Sequence, residues 1–153
     1  MADKLARDVM TTQVISVHPD DDVEKVAKLL LEHHISGLPV LDDDGKLVGV
    51  VTEGDLVIRE KKVRAPLHVV ILDSLIYLEK PQRFMEEIKR AVAQKVGELM
   101  STKLYTVGPE ASVEQVATKM VERRINRVPV VDTENKLLGI ISRQDIIKAT
   151  FGD

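Results

Sequence analysis

Two stretches of this chain, ninety positions apart, decide how it is read: HISGLPVLDDDGKLVGVVTEGD, from His34 to Asp55, and RINRVPVVDTENKLLGIISRQD, from Arg124 to Asp145. They align without a gap, and the register extends upstream. Met10, Thr12, Val17 and Pro19 meet Met100, Thr102, Val107 and Pro109, and Val23, Glu24, Val26 and Ala27 meet Val113, Glu114, Val116 and Ala117. From Val9–Val57 against Leu99–Ile147 there are 17 identities in 49 pairs. Self-similarity at a fixed period marks an internal repeat.

Each copy carries the same local pattern. Val14-Ile15-Ser16-Val17 and Leu104-Tyr105-Thr106-Val107 alternate and stop just before a proline, which predicts a short strand. Val23, Val26, Ala27, Leu30 and Leu31 recur at helical spacing, as do Val113, Val116, Ala117, Met120 and Val121. The acidic lead-in Asp20-Asp21-Asp22 suits the positive end of the first of these helices. Two apolar runs follow, Leu38–Leu41 and Leu47–Val51, split by the turn Asp42-Asp43-Asp44-Gly45; Asp132-Thr133-Glu134-Asn135 takes that place in the second copy. A further helix is expected to start near Thr52 and near Ser142. The unit is therefore β-α-β-β-α. One such unit of about 50 residues buries too little surface to be secure alone. Two copies packed about an approximate two-fold axis remove that difficulty, which makes the expected fold α/β (α+β). The expected organisation is repeat 1 over 1–57, an insertion over 58–95 and repeat 2 over 96–153. Within the insertion, Pro81 suits a first helical position, and Phe84, Ile88, Val92 and Val96 form one stripe, so a helix is expected over about 81–95. The segment 68–78 fits strand or helix equally.

Composition removes several classes of function. The chain has 153 residues, a net charge of −3 and no cysteine, which excludes disulfides, zinc thiolates and cysteine nucleophiles. That charge balance leaves no basic footprint for duplex nucleic acid, and two Phe, two Tyr and no Trp leave little on which to stack bases. The longest apolar stretch, Leu67–Leu78, is interrupted by Asp73 and Ser74 and falls short of the roughly 20 residues a spanning helix needs. The start, MADKLARDVM, has no apolar signal core, so a cytoplasmic location is expected. His33 and His34 are adjacent and point to different helix faces, while His18 and His68 lie elsewhere, so no metal site is expected. The run Asp42–Gly45 lacks the later glutamate of a calcium loop. Neither a phosphate-binding Gly-rich loop nor a nucleophile elbow is present, so no catalytic residue is assigned.

The residues that carry chemistry are Thr52-x-x-Asp55 and its copy Ser142-x-x-Asp145. A hydroxyl followed by an acid three residues on is a capping box. The same geometry also suits a ligand: a helix N-terminus offers free N–H groups to a phosphate, and an aspartate in the first turn can accept from two ribose hydroxyls. The two readings are compatible.

The ordered set Asp8-Val9-Met10-Thr11, Leu38-Pro39-Val40 and Gly49-Val50-Val51-Thr52-Glu53-Gly54-Asp55 occurs twice; the second copy is Glu98-Leu99-Met100-Ser101, Val128-Pro129-Val130 and Gly139-Ile140-Ile141-Ser142-Arg143-Gln144-Asp145. It resembles tandem CBS domains, a Bateman module. The resemblance implies adenosine nucleotides (AMP, ADP or ATP) as regulatory ligands, with Asp55 and Asp145 on ribose and Thr52 and Ser142 near phosphate or ribose. It places adenine against Val14, Ser16, Leu38 and Pro39, and against Leu104, Thr106, Val128 and Pro129. It puts Asn126 and Arg127 near a phosphate, where the first copy has Ser36 and Gly37; by charge alone, Arg143 beside Ser142 adds a cation where the first copy has Glu53 beside Thr52. It further implies a homodimer and an effector protein as partners. Other adenosyl or purine ligands (S-adenosylmethionine, a guanosine or inosine nucleotide) and a ligand-free scaffold are the alternatives.

Overall fold

The structure is a computed structural model that describes residues 3–57 and 95–152. The helix expected over about 81–95 and the ambiguous segment 68–78 lie outside the described residues, apart from Lys95, which is extended. In chain order the elements are α1 (Ala6–Val9), α2 (Val23–His33), β1 (Gly37–Leu41), β2 (Leu47–Thr52), α3 (Val96–Leu99), α4 (Val113–Arg123), β3 (Arg127–Val131), β4 (Leu137–Ser142) and α5 (Arg143–Phe151). Residues 53–57 are helical as well. The mixed α and β architecture of two repeats is as expected, with one two-stranded sheet per repeat.

The chain divides into two compact units that interleave the repeats. The first holds residues 1–16, 41–48 and 103–153; the second holds 17–40 and 49–102. In the first unit, the lead-in of repeat 1 is bonded to the body of repeat 2. Ala6 N–H donates to Ala111 O (2.7 Å), Arg7 N–H to Pro109 O (2.9 Å), and Thr11 exchanges both main-chain bonds with Ile140 (2.8 and 3.0 Å). In the second unit, the lead-in of repeat 2 does the same for the body of repeat 1. Val96 N–H donates to Asp21 O (2.9 Å), Gly97 N–H to Pro19 O (2.9 Å), and Ser101 exchanges both bonds with Val50 (2.8 and 3.0 Å). Every one of these pairs is related to its counterpart by the 90-residue period.

In the first unit, Ala6, Val107, Val116, Met120, Val128, Val130 and Ile141 form the core, with Val9, Met10, Tyr105 and Ile146 packed against it. Each large side chain in it adds about 1.5–3 kcal/mol through burial. In the second unit, α2 buries Val23, Val26 and Leu30, one helical stripe, and Val23 packs with Leu99 of α3. Leu31 and Val121, the last members of the expected stripes, face outward and are 77% and 79% exposed, while Ala27, Val113 and Ala117 are half-buried.

The strand expected at 14–17 and 104–107 contracts to a single bridge in each repeat, Val17 with Val40 and Val107 with Val130, both parallel. Proline explains this. Val107 N–H donates to Pro129 O (3.1 Å) and Val131 N–H to Val107 O (2.9 Å). Extending that ladder upstream requires an N–H at Pro129, and extending it downstream requires one at Pro109; neither exists. Pro39 and Pro19 impose the same limits on the first copy.

The acidic lead-in of α2 also differs from expectation. Asp22, its N-cap, makes no side-chain capping bond and instead meets Lys95 Nζ at 2.8 Å. Asp21 Oδ2 accepts from His18 N–H (2.8 Å) and Lys25 Nζ (3.2 Å), which holds the Asp21 carboxyl below its ordinary range. The matching helix α4 is capped conventionally by Ser112, whose hydroxyl accepts from Gln115 N–H at 3.1 Å. The turns after β1 and β3 are closed by Asp42 and Asp132, each accepting two main-chain N–H bonds on Oδ1 at 2.8–2.9 Å. Each turn needs one left-handed residue: Gly45 (φ 80°) and Asn135 (φ 66°) supply it, the two residue types that tolerate that region best.

Candidate functional site

β4 runs straight into α5, and this junction positions the second-repeat residues. Antiparallel pairing sets Arg127 opposite Ser142 and Val128 opposite Ile141, and Arg143 N–H donates to Asn126 O at 3.2 Å. Asn126, Arg127, Ser142, Arg143 and Asp145 are thereby gathered at one end of the hairpin. Ser142 and Asp145 form a reciprocal cap. Ser142 Oγ accepts from Asp145 N–H (3.3 Å), while Asp145 Oδ2 accepts from Ser142 N–H (2.9 Å) and from the Ser142 hydroxyl (3.1 Å). Both side chains stay partly exposed, so the carboxylate is fixed and still within reach of a ligand. Thr52 and Asp55 repeat the arrangement in the second unit, at 2.9, 3.2 and 3.4 Å. Glu53 N–H donates to Ser36 O (2.9 Å), the counterpart of the Arg143–Asn126 bond.

Leu38 and Val128 are fully buried, and Pro39 and Pro129 are buried too. Their side chains belong to the core. The carbonyls of Pro39 and Pro129 already accept from Val17 and Val107 (3.1 Å each). Val14, Ser16, Leu104 and Thr106 are half-buried. All nine second-repeat candidates lie in the first unit: Leu104, Thr106, Asn126, Arg127, Val128, Pro129, Ser142, Arg143 and Asp145. The first-repeat candidates are divided. Val14 and Ser16 fall in the first unit, and Leu38, Pro39, Thr52 and Asp55 in the second.

Charge separates the two junctions. Exposed Arg143 and half-buried Arg127 flank Ser142, whereas exposed Glu53 and buried Gly37 flank Thr52. Arg123, at the end of α4, lies over the Tyr105 ring at 4.9 Å and is engaged in a cation–π contact. One residue beside the site is not among the candidates read from sequence. The Thr11 hydroxyl lies 3.2 Å from Asp145 Oδ1 and 3.3 Å from Oδ2. Its signal is the Met-Thr pair repeated as Met100-Ser101, legible as a motif but 134 residues from the aspartate it meets. Among the described residues, no group of three or more His, Asp or Glu side chains is placed to hold a metal ion, and no helix is long and apolar enough to cross a membrane.

A hairpin that feeds a capped helix, present twice and each completed by the other repeat's lead-in, defines a paired small-domain architecture. The CBS domain matches this chain over residues 6–62 and 96–152, and the chain belongs to the CBS-domain family. An uncharacterised protein of Methanocaldococcus jannaschii is 36% identical over 152 residues, covering 95% of this chain and 90% of that protein. The structure of CBSX2 in complex with AMP, a chloroplastic CBS protein of Arabidopsis thaliana, superposes with a TM-score of 0.74 at 30% identity, covering 95% of each chain. The CBS domain pair of MJ0100 in complex with 5′-methylthioadenosine and S-adenosyl-L-methionine superposes with a TM-score of 0.68 at 27% identity, covering 98% of each.

Proposed function

We propose that this chain is a non-catalytic, cytoplasmic regulatory module that binds adenosine nucleotides and passes occupancy to a partner protein. The observation that carries this reading is the Ser142–Asp145 cap: a fixed, accessible carboxylate at a helix start, in a chain 30% identical to a protein whose structure holds AMP. Asp145 and Asp55 accept from ribose. Thr52 and Ser142, with the N-termini of their helices, face phosphate, and the base lies along the main chain of Leu38-Pro39 in the second unit and, in the first, along Val128-Pro129 beside Leu104 and Thr106. Asn126, Arg127 and Arg143 supply phosphate donors at the second junction. Glu53 opposes an anion at the first, so the two sites are unequal. A unit charge about 4 Å away at surface-like screening contributes roughly 1–4 kcal/mol. A second reading, an adenosyl thioether or sulfonium ligand, is favoured by the ligands held by the MJ0100 pair.

Self-association fits the same picture. Leu31 and Val121 are exposed at matching positions, as are Val57 (67%) and Ile147 (51%), and a two-fold interface between copies would cover them. A thermal-shift panel of AMP, ADP, ATP, S-adenosylmethionine, GMP and IMP on the full chain tests both points when light scattering is run on the same samples. A ligand at 100 times its Kd stabilises by about 2.7 kcal/mol. AMP, ADP or ATP should give the largest shift, with a scattering mass twice the 17.1 kDa of one chain. A flat panel would refute the ligand reading, and a monomer mass at every concentration would refute the dimer.

A further inference from the structure

We propose that Thr11 sets the ribose selectivity of the Asp145 site, because its hydroxyl holds one of the two places on the carboxylate that a vicinal diol needs. The inference rests on the ribose reading of Asp145 given above.

A carboxylate offers about four lone-pair places on its two oxygens. At Asp145, Oδ2 already receives the Ser142 N–H (2.9 Å) and the Ser142 hydroxyl (3.1 Å). The first of these closes the cap of α5 and persists while that helix stands, and the hydroxyl is kept beside Oδ2 because its oxygen accepts from Asp145 N–H (3.3 Å). The Thr11 hydroxyl straddles the outer edge, 3.2 Å from Oδ1 and 3.3 Å from Oδ2, and takes a third place. One place is left. A ribose donates from both its 2′- and 3′-hydroxyls, so seating the diol on the carboxylate requires the Thr11 proton to turn away. A deoxyribose donates once and fits beside Thr11.

Thr11 is a fixed competitor. Its N–H donates to Ile140 O at 2.8 Å and its carbonyl accepts from Ile140 N–H at 3.0 Å, so its main chain is tied to β4 and only the side chain can rotate. Thr11 is also exposed, so replacing its hydroxyl leaves the core of the unit intact. The lead-in of repeat 1 thus places a discriminating group at the site built by repeat 2.

Calorimetric titration of the full chain with AMP and with 2′-deoxy-AMP tests this, using wild type, Thr11→Val, Thr11→Ala and Thr11→Ser. The Thr11 bond to the carboxylate is long, shared between two oxygens and exposed, so removing this competitor of the ligand corresponds to roughly three- to tenfold in affinity, below the usual range for a charged acceptor. Thr11→Val, which keeps the branched shape, should therefore bind AMP roughly three- to tenfold more tightly while 2′-deoxy-AMP changes less than about twofold. Thr11→Ala should follow it, and Thr11→Ser, which keeps the hydroxyl, should match wild type. Weaker AMP binding in both Thr11→Val and Thr11→Ala, or an equal shift for the two nucleotides, would overturn the role of Thr11. Wild type that binds AMP with affinity unmoved by either variant would do so too. Wild type that binds neither nucleotide would overturn the ribose reading itself, and this proposal with it.

Discussion

Asp145→Ala is expected to weaken AMP binding by about two orders of magnitude or more. Hydrogen bonds to a charged group contribute about 1.5–3 kcal/mol each, and a ribose diol makes two. Even after the exchange with Thr11, about 3 kcal/mol of binding energy would be lost, and each 1.4 kcal/mol is tenfold. The same substitution removes the acceptor for the Ser142 N–H, so the α5 cap weakens by about 0.5–2 kcal/mol. Calorimetry therefore has to be read beside a melting curve. Asp145→Asn separates the two losses: it keeps an acceptor for the cap and discards the charge, so it should melt near wild type and still bind poorly. Full AMP affinity in a folded Asp145→Ala protein would remove this residue from the site.

Gly139→Ala should cost about 1–3 kcal/mol of stability, toward the upper end of what overpacking usually costs. A Cβ there would stand 2.7 Å from Met10 Sδ and 2.8 Å from Thr11 O. The methionine can swing aside. The carbonyl cannot, because it accepts from Ile140 N–H in the bridge that ties the lead-in to β4. Relief comes only by lifting residues 10–11 off the strand, so urea unfolding should show a lower midpoint. Gly49 is the counterpart: a Cβ there would stand 2.5 Å from Met100 Sδ and 3.0 Å from Ser101 O, and Gly49→Ala should behave alike. Unfolding curves identical to wild type would show that the lead-in does not press on β4.

The repeat, its helices and its hairpins were legible because hydrophobic spacing and turn residues act locally. Val23, Val26 and Leu30 point inward at the spacing that the sequence displays, and Gly45 and Asn135 sit where a turn needs a left-handed residue. The capping pairs were legible for the same reason, since Ser142 and Asp145 are three residues apart. Partner choice between distant segments was not. Val9-Met10-Thr11 and Leu99-Met100-Ser101 carry nearly the same side chains, so either could cover either hairpin, and nothing in their periodicity selects the exchanged pairing. The contact of Thr11 with Asp145 was hidden for that reason. The shortened strand is a different case: Pro109 and Pro129 are plainly visible, but their effect emerges only once the parallel register is known.

The exchange of lead-ins bears on how such a chain could arise and how it can be cut. A polypeptide with a single repeat would carry an arm without a recipient and a body without a donor. Two such molecules trading arms would satisfy both, as in a domain-swapped dimer. Fusion of the two genes end to end would then convert a bimolecular exchange into an intramolecular one, with its dependence on concentration removed. The present chain has the form of that fused dimer. Dissection should respect this exchange: a fragment spanning residues 95–152 would leave Ala111, Pro109 and Ile140 with the main-chain bonds that residues 6–11 now fill unmade. Such a fragment would recover them only by meeting a peptide that bears residues 3–16.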